Sequence, residues 1–210
     1  MDNEVVILAN GEFPTSKYLL EILASARFLI CCDGAINSLI AHTIEPNLII
    51  GDLDSISDTL KLKYADKIIQ IPSQDTNDLT KAAQWAQENG FKRVKILGAT
   101  GKRNDHSIAN IFLLRRYLKM FDSVQMLCDY GIWQPIDSST TFDSFKGQQV
   151  SIFAALEAKP LFSNNLKYSI NGLVLNELFM GTLNESLGNS FSLLFEQGEY
   201  IVFQTYQPKN

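Results

Sequence analysis

Short apolar runs recur along the first part of the chain, each followed by a segment of helical period. The runs are Val5-Val6-Ile7-Leu8-Ala9, Phe28 to Cys32, Asn47 to Ile50, Lys67 to Ile71, Val94 to Leu97 and Val124 to Cys128. They predict strands, and Asn47 to Ile50, too short and too evenly apolar for an amphipathic helix, predicts a buried one, as does Val5 to Ala9. The segments between them predict helices. These span Ser16 to Ala26, with apolar Tyr18, Leu19, Ile22 and Leu23, then Ala35 to Ala41, and a helix capped by Ser57 that reaches Tyr64. Two more run from about Asp78 to Asn89, stopped by Gly90, and from Asp105 to Lys119. Alternating strands and helices predict an α/β domain with a mostly parallel, doubly wound sheet.

Past Asp137 the helical period is gone. Short segments of β character lie at Val150 to Ala154, Leu173 to Leu175, Phe191 to Phe195 and Tyr200 to Tyr206. Turn signals such as Asn171-Gly172 and Gln197-Gly198-Glu199 separate them. This predicts an antiparallel β-sandwich. The expected organisation is an α/β domain over residues 1–136 and a sandwich domain over 137–210.

In a doubly wound sheet, ligands bind beyond the carboxyl ends of the strands. In this chain those ends carry the unusual residues: Asn10-Gly11, Asp33-Gly34, Gly51-Asp52, Asp75, Gly98 to Gly101 and Asp129. The opposite connections, such as Phe91-Lys92-Arg93, are plain. After the third strand, Gly51-Asp52-Leu53-Asp54-Ser55 sets two carboxylates two positions apart. Extended chain would point both the same way, and such a pair repels itself unless a cation sits between. Magnesium is commonly held by one or two carboxylates together with phosphate oxygens. Taken alone, the pair reads equally well as two solvated turn aspartates, one capping the next helix.

Three other loops bear on that choice. Gln74-Asp75-Thr76-Asn77-Asp78-Leu79-Thr80-Lys81 puts two carboxylates at a helix start and a lysine one turn in. These are either a cap and a dipole-favoured acid or a metal ligand beside a phosphate-binding lysine. Gly98-Ala99-Thr100-Gly101-Lys102-Arg103-Asn104-Asp105-His106 is a glycine-rich basic loop entering a helix, suited to phosphate oxygens. It is not a Walker loop, because the glycines are too close and no Ser/Thr follows the lysine. Asp33-Gly34-Ala35-Ile36-Asn37 repeats the pattern of carboxylate, glycine and amide at a strand end. Three acidic loops and one basic loop on one sheet edge describe a magnesium–polyphosphate site.

Composition narrows the partners. The 210 residues carry a net charge of -5 and no Lys/Arg run, which argues against nucleic-acid or anionic-membrane surfaces. No apolar stretch reaches spanning length, and Met1-Asp2-Asn3-Glu4 is acidic, unlike a signal peptide, so the expected location is cytoplasmic. Cys31, Cys32 and Cys128 lack metal spacing and read as buried thiols, while two histidines, His42 and His106, all but exclude a histidine zinc site.

Read together, the loops resemble thiamin pyrophosphokinase. The resemblance rests on Asp33-Gly34 with Asn37, Gly51 to Ser55, Gln74-Asp75 with Asp78, Lys81 and Ala82, and Gly98 to His106. Ala35, Ile36 and Asn77 depart from that family's pattern. Leu166-Lys167-Tyr168 and Gly181-Thr182-Leu183-Asn184-Glu185 look like two further family stretches, with Leu183 where a serine is expected to meet the thiamin pyrimidine.

The resemblance implies a homodimer with thiamin at the subunit interface and transfer of a pyrophosphoryl group from ATP to the thiamin hydroxyl, releasing AMP. Magnesium on the triphosphate falls to Asp33, Asp52, Asp54 and Asp75, with Asp78 as an alternate. Lys81, Lys102 and Arg103 would stabilise phosphate oxygens, and Asp75 or Asp105 would accept the alcohol proton. Gly34, Asn37, Gly51, Ser55, Gln74, Gly98, Gly101 and His106 would complete the nucleotide site. Trp133, Asn184 and Glu185 would meet thiamin, Trp133 as an aromatic wall for the thiazolium or else as a core residue. The competing readings are a phosphatase or glycosyltransferase built on Asp-Leu-Asp, and a thiamin- or nucleotide-binding regulatory paralogue without turnover. A phosphatase nucleophile would stand on the first strand, and neither rival enzyme explains Arg103 to His106.

Overall fold

In the computed structural model, which describes residues 3–155 and 159–208, the apolar runs stand side by side as parallel strands. Met1 and Asp2 of the acidic N-terminal stretch lie outside the described residues. The strands are β1 (Glu4–Leu8), β2 (Leu29–Cys32), β3 (Leu48–Gly51), β4 (Ile68–Gln70), β5 (Arg93–Leu97) and β6 (Ser123–Cys128). Their order is β6-β5-β1-β2-β3-β4, and each of these pairings is parallel. Val5, Ile7, Leu8, Ile30, Ile49 and Ile50 are all fully buried, as strands covered on both faces must be. The chain winds outward from β1 to β4, then returns to place β5 on the other side of β1. That reversal between β1 and β5 is where such sheets open a crevice.

The helices are α1 (Lys17–Ser25), α2 (Ile36–Ala41), α3 (Asp58–Lys63), α4 (Asp78–Glu88) and α5 (Asn104–Leu118). A single 3-10 turn, Asp33–Ala35, precedes α2. Ser16, Ser57 and Asn77 cap α1, α3 and α4, each accepting a backbone N–H three residues on. The expected capping aspartate of α4 is therefore an asparagine. As an N-cap, Asn77 can serve as a threonine would.

The chain divides into two compact units, Met1–Ile111 with Lys119–Asp129, and Phe112–Leu118 with Tyr130–Asn210. The division falls one strand before the join read from the sequence. β7 (Gly131–Ile136) lies with the second unit because it pairs along its length with β14 (Tyr200–Pro208).

The second unit holds two antiparallel sets. One runs β12 (Asn184–Glu185), β9 (Gln148–Ala154), β14, β7; the other runs β11 (Leu173–Val174), β10 (Pro160–Asn164), β13 (Ser190–Leu194), β8 (Thr140–Asp143). Alternate residues of β9, β10 and β13 point inward, so Val150, Ile152, Leu161, Phe191 and Leu193 build one core with Val202. Among the described residues, no helix is long and apolar enough to cross a membrane. Cys31 and Cys32 are buried free thiols and Cys128 is half-buried; burial pushes the Cys31 and Cys32 thiols up.

Candidate active site

The loops after β1 and β5 are zipped together at the switch point. Gly11 N–H donates to the Gly98 carbonyl at 2.6 Å, and Glu12 N–H to the Thr100 carbonyl at 2.8 Å. A Cβ on Gly11 would sit 2.3 Å from the Gly98 oxygen, so only glycine permits this approach. Gly98 and Gly101 adopt left-handed φ of 64° and 77°. Lys102 follows in the same region and turns its Nζ onto the backbone and side-chain oxygens of Asn10, at 3.1 and 3.3 Å. Asn10 and Gly11 line the resulting cavity of about 440 Å³, at the ligand-binding sheet edge where the strand-end pattern puts them, though without an individual role. Their contact with the loop after β5 follows from strand order, which residue patterns do not disclose.

The carboxylates converge at the ends of β2 and β3. One ligand oxygen from each of Asp33, Asp52 and Asp54 lies within 4.8 Å of the others. Gly51 makes the room, since a Cβ there would come 2.6 Å from the Asp33 Cβ. The approach of Asp52 to Asp54 is not the extended one expected. Leu53 takes φ 70° with its side chain buried, and Asp54 N–H donates to Asp52 Oδ1 at 3.2 Å, so a tight turn folds the two acids together.

Asp33 is 3% exposed, and its Oδ1 is buried without a hydrogen-bond partner. Burial, then the neighbouring Asp52 carboxyl, push its pKa up to about 6. Asp52 moves the other way, held below the usual carboxylate range by the Gln74 amide, which donates to Oδ2 at 2.8 Å. Ser55 Oγ donates to Asp54 at 2.8 Å. Three hard oxygen donors, one of them buried and unpartnered, suit a dication.

The opposite wall is the start of α4. Lys81, 3% exposed, is held 2.9 Å from Asp78 and lines the cavity. Asp75 does not join the carboxylate cluster; its Oδ2 accepts from the Ser73 hydroxyl at 2.7 Å. From the basic loop, Arg103 grips the exposed Asp105 through two hydrogen bonds, which hold that carboxyl down at about 2. Arg103 and His106 both line the cavity. Asn37 turns its amide back to the Gly34 carbonyl at 3.4 Å and serves its own helix start. Gly34 leaves space for the Asn10 amide, where a Cβ would come within 2.5 Å.

The residues assigned to thiamin lie in the second unit and face scaffold partners. Asn184, 3% exposed, accepts from the N–H groups of Tyr168 and Glu185 and donates to the Tyr168 carbonyl at 2.7 Å. Glu185 meets Lys167 Nζ at 3.0 Å. Trp133 packs at 4.5 Å from Phe203 and 5.7 Å from Phe153. Leu183, where the serine was expected, is left-handed at φ 59° and 67% exposed. A larger cleft of about 620 Å³ in this unit is lined by Phe162, Leu194, Phe195 and Lys159. Among the described residues it gathers no carboxylate cluster.

Two family models match the chain: the thiamin pyrophosphokinase catalytic domain over residues 19–127, and the thiamin pyrophosphokinase substrate-binding domain over residues 131–203. Thiamin pyrophosphokinase 1 of Caenorhabditis elegans is 33% identical over 125 residues, covering 54% of this chain and 51% of that relative. Thiamine pyrophosphokinase 1 of Oryza sativa subsp. japonica is 29% identical over 137 residues, covering 53% and 51%. The chain thus spans about half the length of the curated relatives it matches. The thiamine pyrophosphokinase structure from Bacillus subtilis superposes with a TM-score of 0.82 at 21% identity, over 96% of this chain and 98% of that one. The structure from Candida albicans gives 0.81 at 20% identity, over 98% and 90%. At these identities the likeness concerns the fold.

Proposed function

The chain belongs to the thiamin pyrophosphokinase family, and from that premise we propose that it transfers the pyrophosphoryl group of ATP to the hydroxyl of thiamin, releasing AMP and thiamin diphosphate. The observation that carries the reading is the buried, unpartnered Asp33 Oδ1 within a three-carboxylate cluster beside a cavity that also holds Lys81, Lys102 and Arg103. Asp33, Asp52 and Asp54 would hold magnesium, which would neutralise triphosphate oxygens around the attacked β-phosphorus. Lys81 is anchored by Asp78 and Arg103 by Asp105, so both cations are fixed before the nucleotide arrives. The glycine-rich loop would present backbone N–H groups to the same phosphates.

Of the two carboxylates considered for the alcohol proton, Asp105 at about 2 is a weak acceptor near neutral pH. We assign that role to Asp75, whose partner is a neutral hydroxyl. The thiamin contacts of Trp133, Asn184 and Glu185 and the homodimer rest on the family resemblance. The Asp-Leu-Asp motif follows β3 rather than β1, which speaks against the phosphatase reading.

Incubation with ATP, magnesium and thiamin tests the proposal. AMP and thiamin diphosphate in equal amounts are expected. Inorganic phosphate as the product would replace it with a phosphatase, and binding of both ligands without product would replace it with a regulatory protein.

A further inference from the structure

Two carboxamides tie the walls of the cavity to each other. Asn110 on α5 donates through Nδ2 to the Ala99 carbonyl of the basic loop at 2.8 Å. Its Oδ1 accepts from Asn77 Nδ2 at 3.1 Å, and Asn77 Oδ1 accepts from the Thr80 N–H at the start of α4 at 2.9 Å. Each end of this chain of bonds is a backbone group with one possible role. The Ala99 carbonyl can only accept and the Thr80 N–H can only donate, so the orientation of both amides is fixed. Asn77, Ala99 and Asn110 all line the cavity. The loop at one end carries Lys102 and Arg103; the helix start at the other carries Asp78 and Lys81.

We infer that Asn77 and Asn110 are positioning residues that hold the basic loop and the first turn of α4 at the spacing a nucleotide triphosphate requires. The inference rests on the proposed ATP-dependent reaction. Each cation is braced locally, Lys81 by Asp78 and Arg103 by Asp105, but those pairs fix each wall only to itself. The amide relay is what sets one wall against the other. A charged or hydroxyl side chain at Asn110 could not donate to Ala99 and accept from Asn77 with the same reach.

Three variants test this: Asn77→Ser, which keeps a cap for α4 but shortens the reach to Asn110, Asn110→Ala, and the double variant. Each single change is expected to lower kcat/KM for ATP about tenfold, the effect of losing one positioned hydrogen bond. KM for thiamin should stay within about twofold of wild type, since uniform damage to the fold would move both substrates. Because the two amides act in series, the double variant should be no worse than the weaker single one. Amide hydrogen exchange over Gly98–Lys102 should quicken in all three. Multiplying losses in the double variant, or a lowered Tm with unchanged kinetics and unchanged exchange in that loop, would overturn the inference. If wild-type protein forms no thiamin diphosphate, the functional proposal fails, and the exchange measurement still decides the relay.

Discussion

Asp33 and Asn184 are both polar and both 3% exposed, yet their polar atoms are partnered differently. Asn184, on β12 of the sandwich, has its carbonyl oxygen and its amide engaged by the backbone of Tyr168 and Glu185. Asp33, at the end of β2, keeps one oxygen buried with nothing to bond, beside two more carboxylates. A buried polar group with its partners in place stabilises the chain around it; one without partners costs stability and is retained where something else completes it. The same contrast holds for their surroundings. In the α/β unit, glycines at 11, 34 and 51 let side chains and backbone crowd toward a cavity. In the sandwich, Trp133 and Glu185 pair with Phe203 and Lys167.

The contrast can be broken by substitution. Asp52→Asn should lower kcat by about a thousandfold with the fold intact, as expected when charge stabilisation at the reacting phosphates is lost. Circular dichroism and a product assay check this, and near-wild-type turnover would remove the carboxylates from the chemistry. Asn184→Ala should do the reverse, costing about 2 kcal/mol in denaturant unfolding by leaving buried backbone groups unpartnered. A loss of thiamin binding without a loss of stability would instead make Asn184 a ligand contact.

Asp33→Asn sharpens the comparison through pH. In the folded chain Asp33 titrates near 6, against 3.8 for the free group. Between those values the unfolded chain gives up its proton first, so the fold loses stability as pH rises from about 4 to about 6 and stays lower above it. Without magnesium, the variant should be more stable than wild type by about 1 kcal/mol above pH 7 and equal to it near pH 4. Equal stability across that range would place Asp33 with the scaffold residues. The smallest effect on stability is expected from Arg103→Lys. The Asp105 carboxyl should rise from about 2 toward its ordinary range by NMR titration, while the denaturant midpoint should stay at the wild-type value because the pair is exposed.

Much of the α/β unit was legible because strands covered on both faces read as unbroken apolar runs, and the helices between them carry clear caps. The sandwich was less so. β7 contains Pro135, which argues against a strand, yet Pro135 sits in register opposite Ile201. β8 has four residues and β12 two, too few for a clear periodic signal, and β10 opens on a proline.

Within the site, residue types and spacing pointed to Asp33, Asp52, Asp54, Lys81 and Arg103. The turn at Leu53 was not visible, since a left-handed leucine has no signature in sequence. Asn77 stood out only as a departure from the family pattern and Asn110 not at all, because a carboxamide announces no chemistry until its partners are known. Asn10 and Gly11 were legible as part of the ligand-binding edge, but their bonding to the loop after β5 appeared only once β1 and β5 were neighbours.

Asp33, Asp52 and Asp54 would share one divalent cation next to a bound nucleotide. The most direct test is a crystal grown with manganese and an uncleavable ATP analogue, with the metal located by anomalous scattering. A metal peak in contact with oxygens of all three aspartates and with the triphosphate is expected. A nucleotide bound in the cavity with no metal against Asp33, or with the metal held elsewhere, would contradict it.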